Sequence, residues 1–271
     1  MNHDVESHRF TRDVEFQRVA GLYYTAYSAL RRAAYEAFGE REGTQVGEPD
    51  WQQLPAWELP GPPERLPNYP NQEGLAPVVQ IQRRMLMDKP IPHGHFLAFG
   101  LSDLYNYTNA AYEAARADEN LVSGMGIELS LRLQPSPDTE LAPWFPEWVL
   151  KLFQQEMSYV LTSQRVLLDG HWVRFRPGPS TSTSLAGLAC VWDPSFDSVQ
   201  SGSGIINVVQ LVLLTPDEVD LCEHHQTSKH LVEAMRETNP DLVSTPGRPS
   251  ILMSSSVRER IRQLAQQAAA Q

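Results

Sequence analysis

Ile205-Ile206-Asn207-Val208-Val209-Gln210-Leu211-Val212-Leu213-Leu214-Thr215-Pro216-Asp217-Glu218 is the stretch on which the fold class depends. Up to Leu214 it is apolar except at Asn207 and Gln210, which reads as a strand covered on both faces near the middle of a sheet. The residues that follow form a helix start. Thr215 is an N-cap, Pro216 takes the first helical position, where its missing N–H costs nothing, and Glu218 completes a capping box. A buried strand that runs straight into a capped helix calls for an α/β (α+β) domain, a mixed β-sheet with helices packed on it. The run is also far shorter than the roughly 20 apolar residues that cross a bilayer, so it is not a membrane helix.

Upstream, Ile127, Leu129, Leu131 and Leu133 alternate with Glu128, Ser130 and Arg132, the pattern of a half-buried strand with one wet face. Further strands are expected at Val79–Gln82, His95–Gly100, His171–Arg176, Leu185–Trp192 and Ser250–Met253. Helices are expected behind Pro146, with Val149, Leu152, Phe153 and Val160 on one side, and from Val257, with Ile261 and Leu264 inward. A long amphipathic helix over Asp13–Phe38 stops at Gly39. Pro55, Pro60, Pro62, Pro63, Pro67, Pro70 and Pro77 then exclude helix and central strand, while Trp51, Trp57 and Tyr69 suit an ordered connection better than a free tether. The organisation expected is therefore residues 1–74, a helix plus Pro-rich connection, joined in one unit with a main domain over residues 75–265.

Lys and Arg number 22 against 33 Asp and Glu, and 22 − 33 = −11. That balance repels phosphate backbones, disfavours nucleic acid and suits a basic protein partner, although it also serves solubility. Met1-Asn-His-Asp-Val-Glu has neither the basic nor the apolar part of a secretory signal, and two cysteines build no disulfide framework. A cytoplasmic protein is expected, with no membrane contact.

Chemistry-bearing motifs are sparse. There is no G-x-S-x-G elbow, and Ser201-Gly202-Ser203-Gly204 reads as a turn before the buried strand. Cys190 sits in Leu188-Ala189-Cys190-Val191-Trp192, where a thiol behaves as a small hydrophobe rather than a nucleophile. Gly124-Met125-Gly126 precedes a strand rather than a helix, so it cradles no phosphate and reads as a turn; no cofactor is called for. His93-Gly94-His95 puts two imidazoles on one side of an extended segment, a spacing that can chelate zinc; His224, His225 and His230 lack the helical i, i+4 spacing. Without paired cysteines or a carboxylate signature no metal is assigned, and these histidines are expected at the surface or at strand edges. Asp103 and Glu128 could serve as an acid–base pair if the sheet brings them together, or as a cap and a salt bridge.

Phe99-Gly100-Leu101-Ser102-Asp103-Leu104-Tyr105, preceded by Ile91-Pro92-His93-Gly94-His95, resembles the signature of the suppressor-of-fused family. Ser123-Gly124-Met125-Gly126-Ile127-Glu128-Leu129-Ser130-Leu131-Arg132-Leu133 is similar to that family's second block, and the resemblance continues through Pro146, Gly204, Gln210, the acidic helix and Pro246-Gly247. It covers residues from about 75 to 265. The resemblance implies an α/β fold without catalysis and a protein partner. Animal members clamp a peptide by strand addition between two domains. The two-domain clamp is not expected here, and Asn106-Tyr107 stands where the animal pattern has Gly-Asp, so the same peptide ligand is not implied. Short members resemble immunity proteins that neutralise secreted toxins. The leading expectation is such a binding module, contacting its partner through Phe96, Asp103, Tyr105, Tyr107 and Glu128. The alternatives are a general regulator that adds an extended peptide as a strand, and a metal-assisted hydrolase using His93 and His95.

Overall fold

The computed structural model describes residues 80–86, 89–102, 122–134, 147–163, 165–175, 185–201 and 204–270, together with Ala29 and Ala33. The expectations for the rest of the first helix, for the Pro-rich connection and for Asp103, Tyr105 and Tyr107 fall outside the described residues. Ala29 and Ala33 are themselves helical and half-buried, as the helix predicted over Asp13–Phe38 requires.

The described residues form a mixed sheet with helices on both faces. In chain order the elements are β1 (Gln80–Leu86), β2 (His93–Phe99), β3 (Val122–Leu133), α1 (Glu147–Ser163), β4 (Trp172–Arg174), β5 (Gly187–Trp192), β6 (Val199–Ser201), β7 (Gly204–Leu214), α2 (Pro216–His225), α3 (Lys229–Arg236), a 3₁₀ turn (Ile251–Met253) and α4 (Ser255–Ala269). The sheet has seven strands in the order β1-β2-β3-β7-β5-β4, with β6 beside the start of β7. β3 and β7 run parallel and every other pair is antiparallel. Thus the apolar run that set the fold class is a central strand, flanked by β3 and β5 and buried over most of its length. It passes through Thr215 into α2, where the Glu218 carboxylate reaches back to the Thr215 N–H at 2.9 Å.

One face of the sheet carries Phe96, Ile127, Leu129, Leu131, Leu133, Leu188, Cys190, Val209 and Leu211 against Val149, Leu152, Phe153, Met157 and Val160 of α1. On the opposite face, Ala189, Val191, Val212 and Leu214 pack under Val219, Leu231, Met235 and Ile261 of α2, α3 and α4. A second apolar patch on that face joins Leu97, Phe99, Ile206 and Val208 to Ala29, Ala33 and Phe196. Between the two patches the same face carries a polar seam.

Several sequence expectations are corrected. Ser250–Met253 contains a 3₁₀ turn rather than a strand: Ser250 Oγ accepts from the Leu252 N–H, a local bond that competes with strand pairing. Gly124-Met125-Gly126 is a bulged part of β3 rather than a turn before it. The β3–β7 register shifts between Val122 and Ile127, with Gly124 at φ 57° and Gly126 at φ 72°. A Cβ on Gly126 would also lie 2.9 Å from Val122 Cβ. Ser201 and Gly204, the ends of the expected turn, are register partners of β6 and β7, and the two residues between them lie outside the described residues. β6 and α3 were not anticipated. Among the described residues no helix is long and apolar enough to cross a membrane.

Candidate functional site: the signature turn and the buried polar seam

β3 departs most from its sequence pattern. Alternation predicts a wet face, yet Glu128, Ser130 and Arg132 are as buried as the leucines between them. The burial is tolerable because the Glu128 carboxyl, the Ser130 hydroxyl and both terminal nitrogens of Arg132 bond inside the protein.

Glu128 closes the turn that follows β2. Its Oε1 accepts from Gly100 N at 2.9 Å, Ser102 N at 2.8 Å and Ser102 Oγ at 2.6 Å, and its Oε2 accepts from Leu101 N at 3.2 Å. The turn's carbonyls are bound from the same strand: Met125 N donates to Leu101 O at 2.8 Å and Ser123 Oγ to Ser102 O at 2.7 Å. Gly100 supplies the left-handed backbone, φ 139°, that lets successive N–H groups converge on one carboxylate. The two sequence blocks that carry the family resemblance are therefore two halves of one interlocked structure. Burial pushes the Glu128 carboxyl up to about 7, against the pull of the Ser102 hydroxyl and the three backbone donors.

The seam is centred on Arg132 and Asp193. Asp193 lies just past β5, and its Oδ1 accepts from Arg132 Nη2 at 2.7 Å and from Ser195 N at 2.9 Å. Its Oδ2 accepts from His95 Nε2 at 2.9 Å and Ser130 Oγ at 2.6 Å. Burial alone would raise the Asp193 carboxyl, but His95, Arg132 and Ser130 together hold it well below the usual carboxylate range. Arg132 also donates from Nη1 to Asp241 at 2.9 Å and from Nη2 to Ser195 Oγ at 2.7 Å. Gln210 donates to the carbonyls of Asp241 and Leu242, tying the same segment to β7.

His93 and His95 are inside, not at the surface or a strand edge as expected, whereas His224 is exposed as expected. His93 is 0% and His95 2% exposed, because β1 pairs along the whole of β2 and makes it an interior strand. His93 Nδ1 donates to Ile91 O at 2.7 Å, and desolvation lowers the pKa of both rings. The spacing does put both on one face, as read from the sequence. One nitrogen of each ring is already engaged, His93 Nδ1 with Ile91 O and His95 Nε2 with Asp193. Among the described residues no group of three or more His, Cys, Asp or Glu is placed to hold a metal ion. Ser130, His95 and Asp193 do not form a nucleophile–base–acid chain either, since hydroxyl and imidazole both bond to the same carboxylate oxygen.

Of the residues singled out for partner contact, Phe96 and Glu128 are buried at 0% exposure, and their side chains serve the core and the turn. Partner contact through these two side chains would require the fold to open. Asp193, Asp241 and Ser195 were missed by the sequence reading. The one available signal was Asp193-Pro194 directly after an apolar strand, an acid where a strand must stop.

The family model of the suppressor of fused protein (SUFU) matches residues 78–249. The human suppressor of fused homolog is 31% identical over 128 residues, which are 47% of this chain and 25% of the human protein. The chain thus spans about a quarter of the length of the curated relative it matches. The crystal structure of Drosophila Suppressor of Fused superposes with a TM-score of 0.57 at 20% identity, covering 68% of this chain and 45% of that one. The Sufu–Fu complex crystal structure gives a TM-score of 0.56 at 20% identity, covering 68% of this chain and 81% of that one. With its matched residues spanning both signature blocks and the seam, this chain belongs to the suppressor of fused family.

Proposed function

We propose that the chain is a non-catalytic, cytoplasmic protein-binding module of immunity type, which neutralises a partner, a toxin, by occupying it. The observation that carries this reading is the position of the chemistry-bearing residues. His93, His95, Glu128 and Asp193 are all buried and bonded to this chain's own groups, so its interactions with others fall to surfaces. The net charge of −11 favours a basic partner and fast association with it. One fold neighbour is a complex with a protein, Fu, which supports protein binding as the role of this architecture. Residues 1–74 act as one unit with 75–265; Ala29 and Ala33, packed against the apolar cluster that includes Leu97 and Phe99, support this. A tagged pull-down from the native lysate, repeated at raised salt, tests the reading. One stoichiometric basic partner, lost as salt rises, is expected; no specific partner at any salt refutes it.

A second reading, addition of an extended peptide as a strand, is favoured by β1. Among the described residues Gln80–Leu86 pairs only with β2, so its outer edge ends the sheet. Backbone cross-strand contacts between a bound peptide and Gln80–Leu86 in NMR spectra would distinguish this mode from side-chain docking.

A further inference from the structure

We infer that the end of β5 is a binding site for a cationic side chain of the protein partner, a guanidinium or ammonium group received among Trp192, Tyr159 and Leu168 and paired with Glu156. The inference rests on the basic partner proposed above and names where that partner's charge is taken up. Among the described residues Tyr159, Leu168 and Trp192 are 42%, 41% and 42% exposed, large apolar side chains that the core leaves in solvent. Glu156 is the reverse case, an acid inside the apolar stripe of α1 with Leu152, Phe153 and Val160. It is buried, and no hydrogen-bond donor meets its Oε1. A buried carboxylate without a partner is costly to the fold, and a cation brought by a ligand offsets that cost.

The fold brings these residues to one place. Cys190 and Trp192 stand two residues apart in β5 and so share a sheet face, the one that α1 covers. Cys190 lies in the field of both Glu156 and Asp169, which puts α1 and the loop after it beside this end of the strand. Tyr159 stands one turn beyond Glu156 on α1, and Leu168 directly precedes Asp169. Charge selects the occupant. β5, β6 and β7 contain no Lys or Arg. Asp169 already has Lys229 at 3.6 Å, which leaves Glu156 as the acid to be paired. An indole face beside a desolvated carboxylate favours a cation over a neutral group, because the ring quadrupole and the carboxylate attract it together.

The test titrates the full chain with N-acetylarginine methylamide at constant ionic strength, with the uncharged citrulline analogue as control. NMR spectra follow the backbone amides of β5 and the Trp192 indole N–H, assigned by its loss in Trp192→Ala. No partner is needed, so this inference and the basic-partner reading can fail separately. Wild type should give a saturable shift with the arginine probe and none with citrulline. Glu156→Gln keeps the shape but not the charge, and should weaken binding by about tenfold or more. Trp192→Ala, read at the β5 amides, should weaken it by about threefold or more. Wild-type binding should also strengthen as the pH rises through about 7, where the Glu156 carboxyl ionises. That profile makes the same test without any substitution, should a variant not fold. The absence of a saturable shift, an equal response to citrulline, wild-type affinity in Glu156→Gln, or binding that does not strengthen with pH would overturn the inference.

Discussion

Glu156 gives the sharpest energetic prediction. It lies on the sheet-facing side of α1, 1% exposed, with Oε1 unpartnered among the core side chains. Burial pushes its carboxyl from the ordinary 4.5 up to about 7. A carboxyl whose folded-state pKa is raised binds its proton more tightly in the folded protein than in the unfolded chain. Its contribution to stability is complete below pH 4.5 and is lost as the pH rises through 7. At about 1.4 kcal/mol per pH unit of displacement, the full loss is roughly 3 kcal/mol, most of it falling between about pH 5 and pH 8. The perturbation is Glu156→Gln, which keeps the shape and removes the ionisation. Urea unfolding of both proteins at pH 5, 6, 7 and 8 gives the stability difference at each pH. The variant should gain on wild type by roughly 2–3 kcal/mol across that range, with equal m values. Glu128, also raised to about 7, is present in both proteins and cancels in the difference. Any fixed cost of burying the amide shifts the curve without tilting it. Two parallel stability curves would refute the reasoning, because they would mean that folding is not coupled to a proton on this residue.

Asp193→Ala should destabilise by roughly 3–5 kcal/mol in urea melts, since it leaves buried Arg132 with Asp241 as its remaining carboxylate. The Asp193 carboxyl is depressed, so its contribution has the opposite sign to that of Glu156. It is present above pH 3.8 and lost as the pH falls, and wild type should converge on Asp193→Ala in strongly acidic titrations. Arg248→Lys should lower stability measurably, by about 1–3 kcal/mol, because a lysine cannot reproduce the two 2.6 Å bonds to buried Glu218 together with the bond to Leu213 O. Cys190 and Cys222 are both buried, and burial pushes the Cys222 thiol up to about 12 and that of Cys190 higher still. Ellman's reagent should titrate neither in the native protein and both after unfolding; a fast native reaction would contradict the packing.

What was legible in the sequence follows from which signals are local. The central strand and its capped helix could be read from Ile205–Glu218 because burial on both faces and a capping box are written in adjacent residues. The helix behind Pro146 could be read from its repeating apolar positions, and Val149, Leu152, Phe153 and Val160 all reach the core. Short β6 and α3 carry too few residues for a period to stand out. The larger gap was β3, where alternation reports polarity but not exposure. Glu128, Ser130 and Arg132 look like a wet face because sequence cannot show that their partners arrive from residues 26 to 109 positions away. His93 and His95 were misplaced for the same reason, since only the pairing of β1 decides whether β2 is an edge.

The same distinction bears on how the family signature should be read. Its recognisable letters, the Phe-Gly-Leu-Ser run and the Ser-Gly-x-Gly-x-Glu block, code for a turn and the carboxylate that binds it, and both are buried. A pattern of that kind identifies the architecture and is silent about the partner, because none of its buried atoms can meet one while the fold is closed. Under the proposed function, binding specificity is then assigned to positions the signature leaves free, Asn106 and Tyr107 immediately after it among them. It follows that substitutions inside the signature should move stability and binding together. Substitutions just beyond it should move binding alone, as Tyr107→Ala would show by weakening partner affinity at an unchanged melting temperature.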